Sequence, residues 1–273
     1  AVPASAPNSL MSGFVQAVGS PDMTSVLTPR RVHTPATEAV SAGMRTMFVM
    51  GDPNAISAAA HTKLRDFAIA QGCPLFEMGD GISHVVLPEK GFIAPGDLAI
   101  GSDSHSCTGG ALAAFTTGVG STDMAAAMAT GQLWMRVPET ILVRCSGRLP
   151  ARVGAKDLVL EIARRIGADG ANYAAIEFAG PAVEALEMDG RFTLTNLAIE
   201  MGAKAGLIGT DATTEAWLAG RLKRPWTHLG ADPDAVYREV VEVDASSLTP
   251  RIALPHNVDK VVAIEDLPKT RVH

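Results

Sequence analysis

Three short clusters along the chain carry a histidine, a carboxylate or both. Residues 81–84 read Gly-Ile-Ser-His, residues 101–105 read Gly-Ser-Asp-Ser-His, and residues 175–178 read Ala-Ile-Glu-Phe. A histidine paired with a carboxylate is held in one tautomer and gains proton affinity, which suits it to move a proton to or from a leaving hydroxyl group. The clusters supply four candidate acid–base residues: His84, Asp103, His105 and Glu177.

These clusters accompany apolar, strand-like stretches, and loops at the carboxyl ends of strands are where α/β sheets bind ligands. The residue types alone leave other roles open. Asp103 could instead cap a turn, and the hydroxyl groups of Ser104 and Ser106 could serve merely to form hydrogen bonds with the backbone. Glu177 is either a strand-end residue that faces water or a carboxylate inside an apolar strand, which must then be paired.

The elements that would position these residues alternate along the chain. Strand-like stretches lie within residues 74–86 and at 47–50, 97–102, 139–146, 173–178, 236–243 and 251–254. Helical spacing of apolar residues lies at 58–71, 156–166 and 193–203, and Ser121 or Thr122 can cap a helix that runs to residue 133. This alternation predicts an α/β fold with a largely parallel sheet. We expect two domains, residues 1–137 and 138–273.

The composition narrows the class of protein. The chain has 273 residues, of which 47% are hydrophobic, enough for two α/β domains with buried cores. A net charge of −6 without a basic run argues against a nucleic-acid partner, and the apolar stretches fall short of the roughly 18 residues of a membrane span. Three cysteines without a C-x-x-C, and no signal-peptide pattern in residues 1–20, favour a soluble, cytoplasmic protein with a small-molecule partner.

Long motifs in two regions carry a family resemblance. They are PGDLAIGSDSHSCTGGAL at 95–112 and GVGSTDMAAAMATG at 118–131, then IEFAGPA at 176–182 and TLTNLAIEMGAKAG at 193–206. The chain resembles the large subunit of 3-isopropylmalate dehydratase and homoaconitase, in the aconitase superfamily, over about residues 60–225.

The resemblance implies aconitase-type three-layer α/β/α domains and a hydro-lyase that removes and re-adds water on a hydroxy di- or tricarboxylic acid, as in leucine biosynthesis. It implies that Asp103 pairs with His84, that Glu177 pairs with His105, and that Ser104 faces a substrate carboxylate. Asn196 matches a polar position without an assigned role. A [4Fe–4S] cluster is the implied cofactor, and a small subunit is the implied partner.

The chain departs from this family pattern in two respects. Where the family has an early Asp-His pair, this chain has Asp52-Pro53-Asn54, which leaves Asp52 as a substrate-binding candidate and no histidine beside it. The cysteine motifs that bind the cluster are absent, and Cys107 does not lie in a ligand motif. We therefore expect no cluster ligand in this chain, an absent cluster-binding domain, and no activity for the chain in isolation.

Two other hypotheses remain open at this point. The chain could be a non-catalytic binding or regulatory remnant of the fold, which the missing histidine and cysteines favour. It could also be a hydrolase with a mononuclear metal bound by nitrogen and oxygen ligands from His84, Asp103, His105 and Glu177, which the Asp-x-His spacing allows.

Overall fold

The computed structural model describes residues 26–27, 47–48 and 55–269. The strands are β1 Val26–Leu27, β2 Met47–Phe48, β3 Leu75–Phe76, β4 Leu98–Gly101, β5 Phe115–Gly118, β6 Leu133–Trp134, β7 Thr140–Ser146, β8 Ala175–Ala179, β9 Ala205–Leu207, β10 Glu239–Asp244, β11 Arg251–Ala253 and β12 Val261–Ala263. The α-helices are α1 Ala55–Gln71, α2 Ser83–Glu89, α3 Ser121–Thr130, α4 Ala155–Ile166, α5 Pro181–Glu184, α6 Met188–Asn196 and α7 Ala212–Leu218. The 3₁₀ segments are η1 Ser104–Leu112, η2 Leu197–Met201, η3 Ala245–Ser247 and η4 Ile264–Asp266.

Most strand pairs are parallel. The largest sheet has the order β10-β7-β8-β9, and each of its neighbouring strands is parallel. The pairs β2-β3 and β4-β5 are also parallel, whereas β1-β6 and β11-β12 are antiparallel. Parallel strands need a crossover between them, and helices supply it here. The prediction of an α/β fold with largely parallel sheets is confirmed.

Strand β8 divides the core into two sides because successive side chains of a strand point to opposite faces. Ile176 and Phe178 are buried in a cluster with the apolar sides of α4 and α6. On the opposite face, Ala175 packs with Phe115 and Met135 from the first half of the chain. Burial of one such large side chain stabilises the fold by about 1.5–3 kcal/mol, so both halves are held against this sheet.

Several element boundaries differ from the prediction in ways that bear on function. His84 lies in the first turn of α2, and Ser104 begins η1, so each of these polar clusters runs from a loop into a helical segment. The helix predicted at 193–203 starts earlier, at Met188, and changes to the tighter η2 after Asn196. The predicted Ser121 or Thr122 cap is wrong. The N-cap of α3 is Gly120, which has no side chain to cap the helix.

The predicted domain boundary at residue 137 falls between β6 and β7 and stays a prediction. Within the part of the chain that the structure describes, no helix is long and apolar enough to cross a membrane.

Candidate active site

The site is built at the carboxyl ends of β4 and β5, two parallel neighbours. Gly101 ends β4 and pairs with Gly118 at the end of β5. A Cβ atom on Gly118 would lie 2.8 Å from the Asp103 carbonyl oxygen and 3.0 Å from Ser104 Cα. The absence of a side chain at Gly118 therefore lets the Asp103–Ser104 turn lie directly over the end of β5.

Asp103 has two roles at once. Its Oδ1 accepts a hydrogen bond from the His105 backbone N–H at 2.7 Å, which caps η1, and the same oxygen lies 3.4 Å from His84 Nδ1. The Nδ1 atom is buried and makes no well-aligned hydrogen bond. Acid–base contacts of free enzymes are often long and shorten when substrate binds. Asp103 therefore lies close to His84, as expected, and it also caps a helical turn, which was the alternative role.

His105 lies between a hydroxyl and a carboxylate. Its Nδ1 is 3.1 Å from Ser104 Oγ, and its Nε2 is 3.3 Å from Glu200 Oε1. This arrangement favours the tautomer in which Nε2–H points to Glu200 and Nδ1 accepts from the Ser104 hydroxyl. The His84 and His105 ring centres are 5.9 Å apart. Two imidazoles and two carboxylates therefore converge on one small region.

Burial sets the protonation of His84. Desolvation lowers the pKa of His84, the nearby charge of Asp103 raises it, and His105 lowers it further; the net shift is downward. His84 is thus neutral at pH 7, because even the ordinary imidazole pKa is near 6.5. A neutral imidazole can both accept and donate a proton, which is what an acid–base relay requires.

Hydrogen bonds between distant segments bring Glu200 to His105. Asn196 Nδ2, at the end of α6, donates to Thr108 Oγ1 at 2.9 Å, and Thr108 Oγ1 donates to the His105 carbonyl at 2.6 Å. Thr195 Oγ1 donates to the Thr108 carbonyl at 2.8 Å. These bonds fix η1 against the start of η2, which carries Glu200, and they give Asn196 a structural role.

Close backbone packing reinforces the same junction. A Cβ atom on Gly110 in η1 would lie 1.6 Å from the Gly206 carbonyl oxygen in β9. The Ile208 N–H donates to the Gly110 carbonyl at 3.0 Å. The segment with Ser104 and His105 is therefore seated on β9 at a distance that only glycine permits.

The glutamate at ion-pair distance from His105 is Glu200 and not the expected Glu177, and the pairing of Glu177 with His105 stays a prediction. Glu177 is a buried residue of β8, only 4% exposed, and its Oε1 accepts a hydrogen bond from Tyr237 Oη at 2.9 Å. Burial, the Glu177 charge and this hydrogen bond raise the pKa of Tyr237, so it stays protonated and donates. Glu200 takes the place beside His105. The hypothesis that Glu177 is a paired carboxylate inside a strand holds, with Tyr237 as a partner.

Glu200 was missed because a single glutamate in a helical stretch is usually a solvated residue. Its signal lay in the sequence nonetheless: it follows Asn196 by one helical turn within the motif TLTNLAIEMGAKAG. Residues four apart lie on the same side of a helix. Asn196 and Glu200 are therefore a polar pair on one side of a largely apolar helical stretch, and such a pair indicates a functional surface. Asp52, the other predicted substrate-binding residue, lies outside the described residues.

The cysteines do not fit the role of cluster ligands. Cys107 and Cys145 are both fully buried, and this burial raises the pKa of their thiols to about 12. Cys107 Sγ donates to the Asn196 carbonyl at 3.5 Å. Among residues 55–269 with the two short strands before them, no group of three or more His, Cys, Asp or Glu side chains could hold a metal ion.

Comparison with known proteins gives one family. The aconitase family (aconitate hydratase) matches residues 18–273. The 3-isopropylmalate dehydratase large subunit of Moorella thermoacetica is 51% identical over 211 residues, 77% of this chain and 50% of that protein. The 3-isopropylmalate dehydratase large subunit 1 of Thermotoga maritima is 47% identical over 211 residues, which are 77% of this chain and 50% of that protein. The chain spans about half the length of these relatives.

Proposed function

The chain belongs to the aconitase family, and on this premise we propose that it is the acid–base part of the large subunit of a hydro-lyase of the 3-isopropylmalate dehydratase type. The single observation that supports this most is the juxtaposition of His84 with Asp103 and of His105 with Glu200 at the ends of β4 and β5. The substrate would be a hydroxy di- or tricarboxylic acid, and the pathway leucine biosynthesis.

In this proposal the two histidines manage protons around a departing and returning hydroxyl group. Asp103 holds His84 in place, and Glu200 balances the charge when His105 takes up a proton. Ser104 would lie between the substrate and the His105 ring, since its Oγ atom is 3.1 Å from His105 Nδ1. Positioned acid–base groups of this kind typically contribute about 10²- to 10⁴-fold to a rate, so these residues supply part of the catalysis.

We propose that the complete enzyme also uses a [4Fe–4S] cluster, which would supply Lewis acidity for the departure of the hydroxyl group. The described residues of this chain do not fit as its ligands, so we assign those ligands to protein beyond the matched half of the relatives. The relatives' designation as large subunits supports a small subunit as partner. The three free cysteines support a cytoplasmic location.

The test uses the complete subunit, prepared without oxygen together with its small subunit. Interconversion of 2- and 3-isopropylmalate should occur, and His105→Asn should lower kcat by about 10²-fold or more while iron content is unchanged. His228→Asn is the matched control, because His228 lies 3.9 Å from Glu215 in an exposed pair away from the site. Tight binding of the hydroxy acid without turnover in the wild type would support the non-catalytic alternative instead.

A further inference from the structure

A cleft opens beside the candidate acid–base residues. Its described lining includes Ser102, Ser104, Asp123, Trp134, Tyr173 and Lys204. Ser104 contacts His105, and Ile199, which also lines the cleft, precedes Glu200 in the chain. One end of the cleft is therefore continuous with the His105–Glu200 pair. Lys204 is the one cation among the lining residues that the structure describes.

The backbone of Lys204 is fixed at the edge of the sheet. It lies directly before β9, and its N–H donates to the Ala174 carbonyl at 2.7 Å, next to the start of β8. It shares this edge with Gly206, against which η1 packs. The position of Lys204 relative to Ser104 is thus set by the same packing that brings Glu200 to His105.

An aromatic ring holds the Lys204 side chain. The Lys204 ammonium group lies 5.1 Å from the centre of the Tyr173 ring, and the Arg136 guanidinium lies 4.7 Å from the same ring. Tyr173 Oη accepts a hydrogen bond from the Arg136 N–H at 3.1 Å, so the ring itself is anchored. Within the described part of the chain the Lys204 ammonium group contacts this ring and forms no ion pair with a carboxylate. Such a cation–π contact orients a lysine without cancelling its charge.

We propose that Lys204 is a substrate-binding residue whose ammonium group binds a carboxylate of the hydroxy acid in this cleft, and that Tyr173 positions that ammonium group. The inference rests on the proposed function, since it assigns a subsite to the same substrate. A carboxylate in the cleft would meet the Lys204 ammonium group and the hydroxyl donor of Ser102. Asp123, in the same cleft, would repel a second anionic group and so restrict the substrate to one orientation.

The kinetic test uses the complete subunit with its cluster and small subunit. A hydrogen bond to a charged group is worth about 1.5–3 kcal/mol, so Lys204→Gln should raise KM for the dicarboxylate about 10- to 100-fold and change kcat less than about threefold. Lys204→Arg should recover part of the loss, and Tyr173→Leu should raise KM in the same direction. Lys223→Gln, which removes an exposed lysine outside the cleft, should leave KM unchanged.

A substrate analogue separates binding by Lys204 from a general loss of structure. If the wild type prefers the dicarboxylate to its monoamide, Lys204→Gln should lose most of that preference, because the amide lacks the charge that Lys204 recognises. A variant that is merely misfolded would lose activity toward both compounds in the same ratio. An unchanged preference in a folded Lys204→Gln enzyme would overturn the assignment.

Lysine labelling gives a second readout that needs no variant. With a saturating dicarboxylate present, acylation of Lys204 in the wild-type enzyme should slow several-fold while acylation of Lys223 stays constant. Absence of protection at Lys204 in an enzyme that turns over isopropylmalate would overturn this inference and leave the proposed function standing. A wild-type enzyme with no hydro-lyase activity would overturn the proposed function first.

Discussion

The Nε2 atom of His105 lies 3.3 Å from the Oε1 atom of Glu200. These two residues belong to motifs in separate halves of the chain. His105 belongs to η1, which follows β4, whereas Glu200 belongs to η2, which follows α6. The pair exists only because the two 3₁₀ segments pack on each other. Catalysis in the proposed enzyme therefore depends on the junction between these halves.

Removal of the Glu200 charge tests this pair directly. In the complete enzyme, Glu200→Gln should lower kcat by about 10²-fold or more, because a neutral amide no longer stabilises a protonated His105. Steady-state kinetics with iron content measured on the same sample would show it. Glu215→Gln changes the exposed glutamate near His228 and should have no effect; a kcat loss of equal size in both variants would argue against a specific role for Glu200.

The Tyr237–Glu177 hydrogen bond should contribute to stability. Tyr237→Phe removes the donor to a carboxylate in β8 that is 4% exposed, which should lower the free energy of unfolding by about 1–3 kcal/mol. Urea unfolding measures the loss. The other tyrosine provides the control: Tyr173→Phe removes a more exposed hydrogen bond and should cost less. Equal losses would show that Glu177 does not depend on Tyr237.

Gly110 should tolerate no side chain. Gly110→Ala places a Cβ atom 1.6 Å from the Gly206 carbonyl oxygen, so η1 must move away from β9. We expect a loss of about 1–3 kcal/mol or more in the free energy of unfolding, with lower activity in any folded fraction, because His105 moves with η1. Gly230→Ala, where nothing lies within 4 Å of the added Cβ, is the control. A variant as stable as the wild type would contradict the packing described for η1 and β9.

Acid should weaken the fold through Glu161. Burial alone would raise the pKa of this carboxyl, but hydrogen bonds from Arg164 and Arg165 and the charges of Arg164 and Arg251 outweigh it and lower the pKa to about 2. The unfolded chain titrates near 4.5, so it binds more protons than the native state between these values. The stabilisation, about 3 kcal/mol, is complete above the unfolded pKa and is lost as the pH falls toward 2.

The measurement is the free energy of unfolding from pH 7 to pH 2. Glu161→Gln should lower stability at pH 7 by about 3–5 kcal/mol, because three arginines lose their buried partner, and should flatten the acid limb of the curve. Glu242→Gln removes the acid of an exposed ion pair with Arg144 and should change stability by less than about 1 kcal/mol. If the Glu161→Gln variant still loses stability in acid as the wild type does, that loss comes from other carboxylates and not from Glu161.

The regular elements were predictable because their signals are local. Alternation of apolar residues at strand and helix spacing indicated β7 and α4 to within a residue or two, since a strand or helix exposes or buries residues at a fixed period. The position of Asp103, Ser104 and His105 directly after β4 was predictable for the same reason. The start of α6 was missed, because Gly190 and Arg191 in its first turns are atypical of a buried helix.

The sequence by itself determined the α/β class, the family, and the presence of two histidines and an aspartate after strands. Only the tertiary structure decided which glutamate joins them. Glu177 is easier to identify in the sequence, because it is a carboxylate inside an apolar strand, but in the structure its side chain accepts a hydrogen bond from Tyr237. Glu200 reaches His105 because Asn196, Thr108 and the Gly110–Gly206 contact fix how two distant segments meet. Contacts of that kind depend on the packing of whole elements, and no local period in the sequence encodes them.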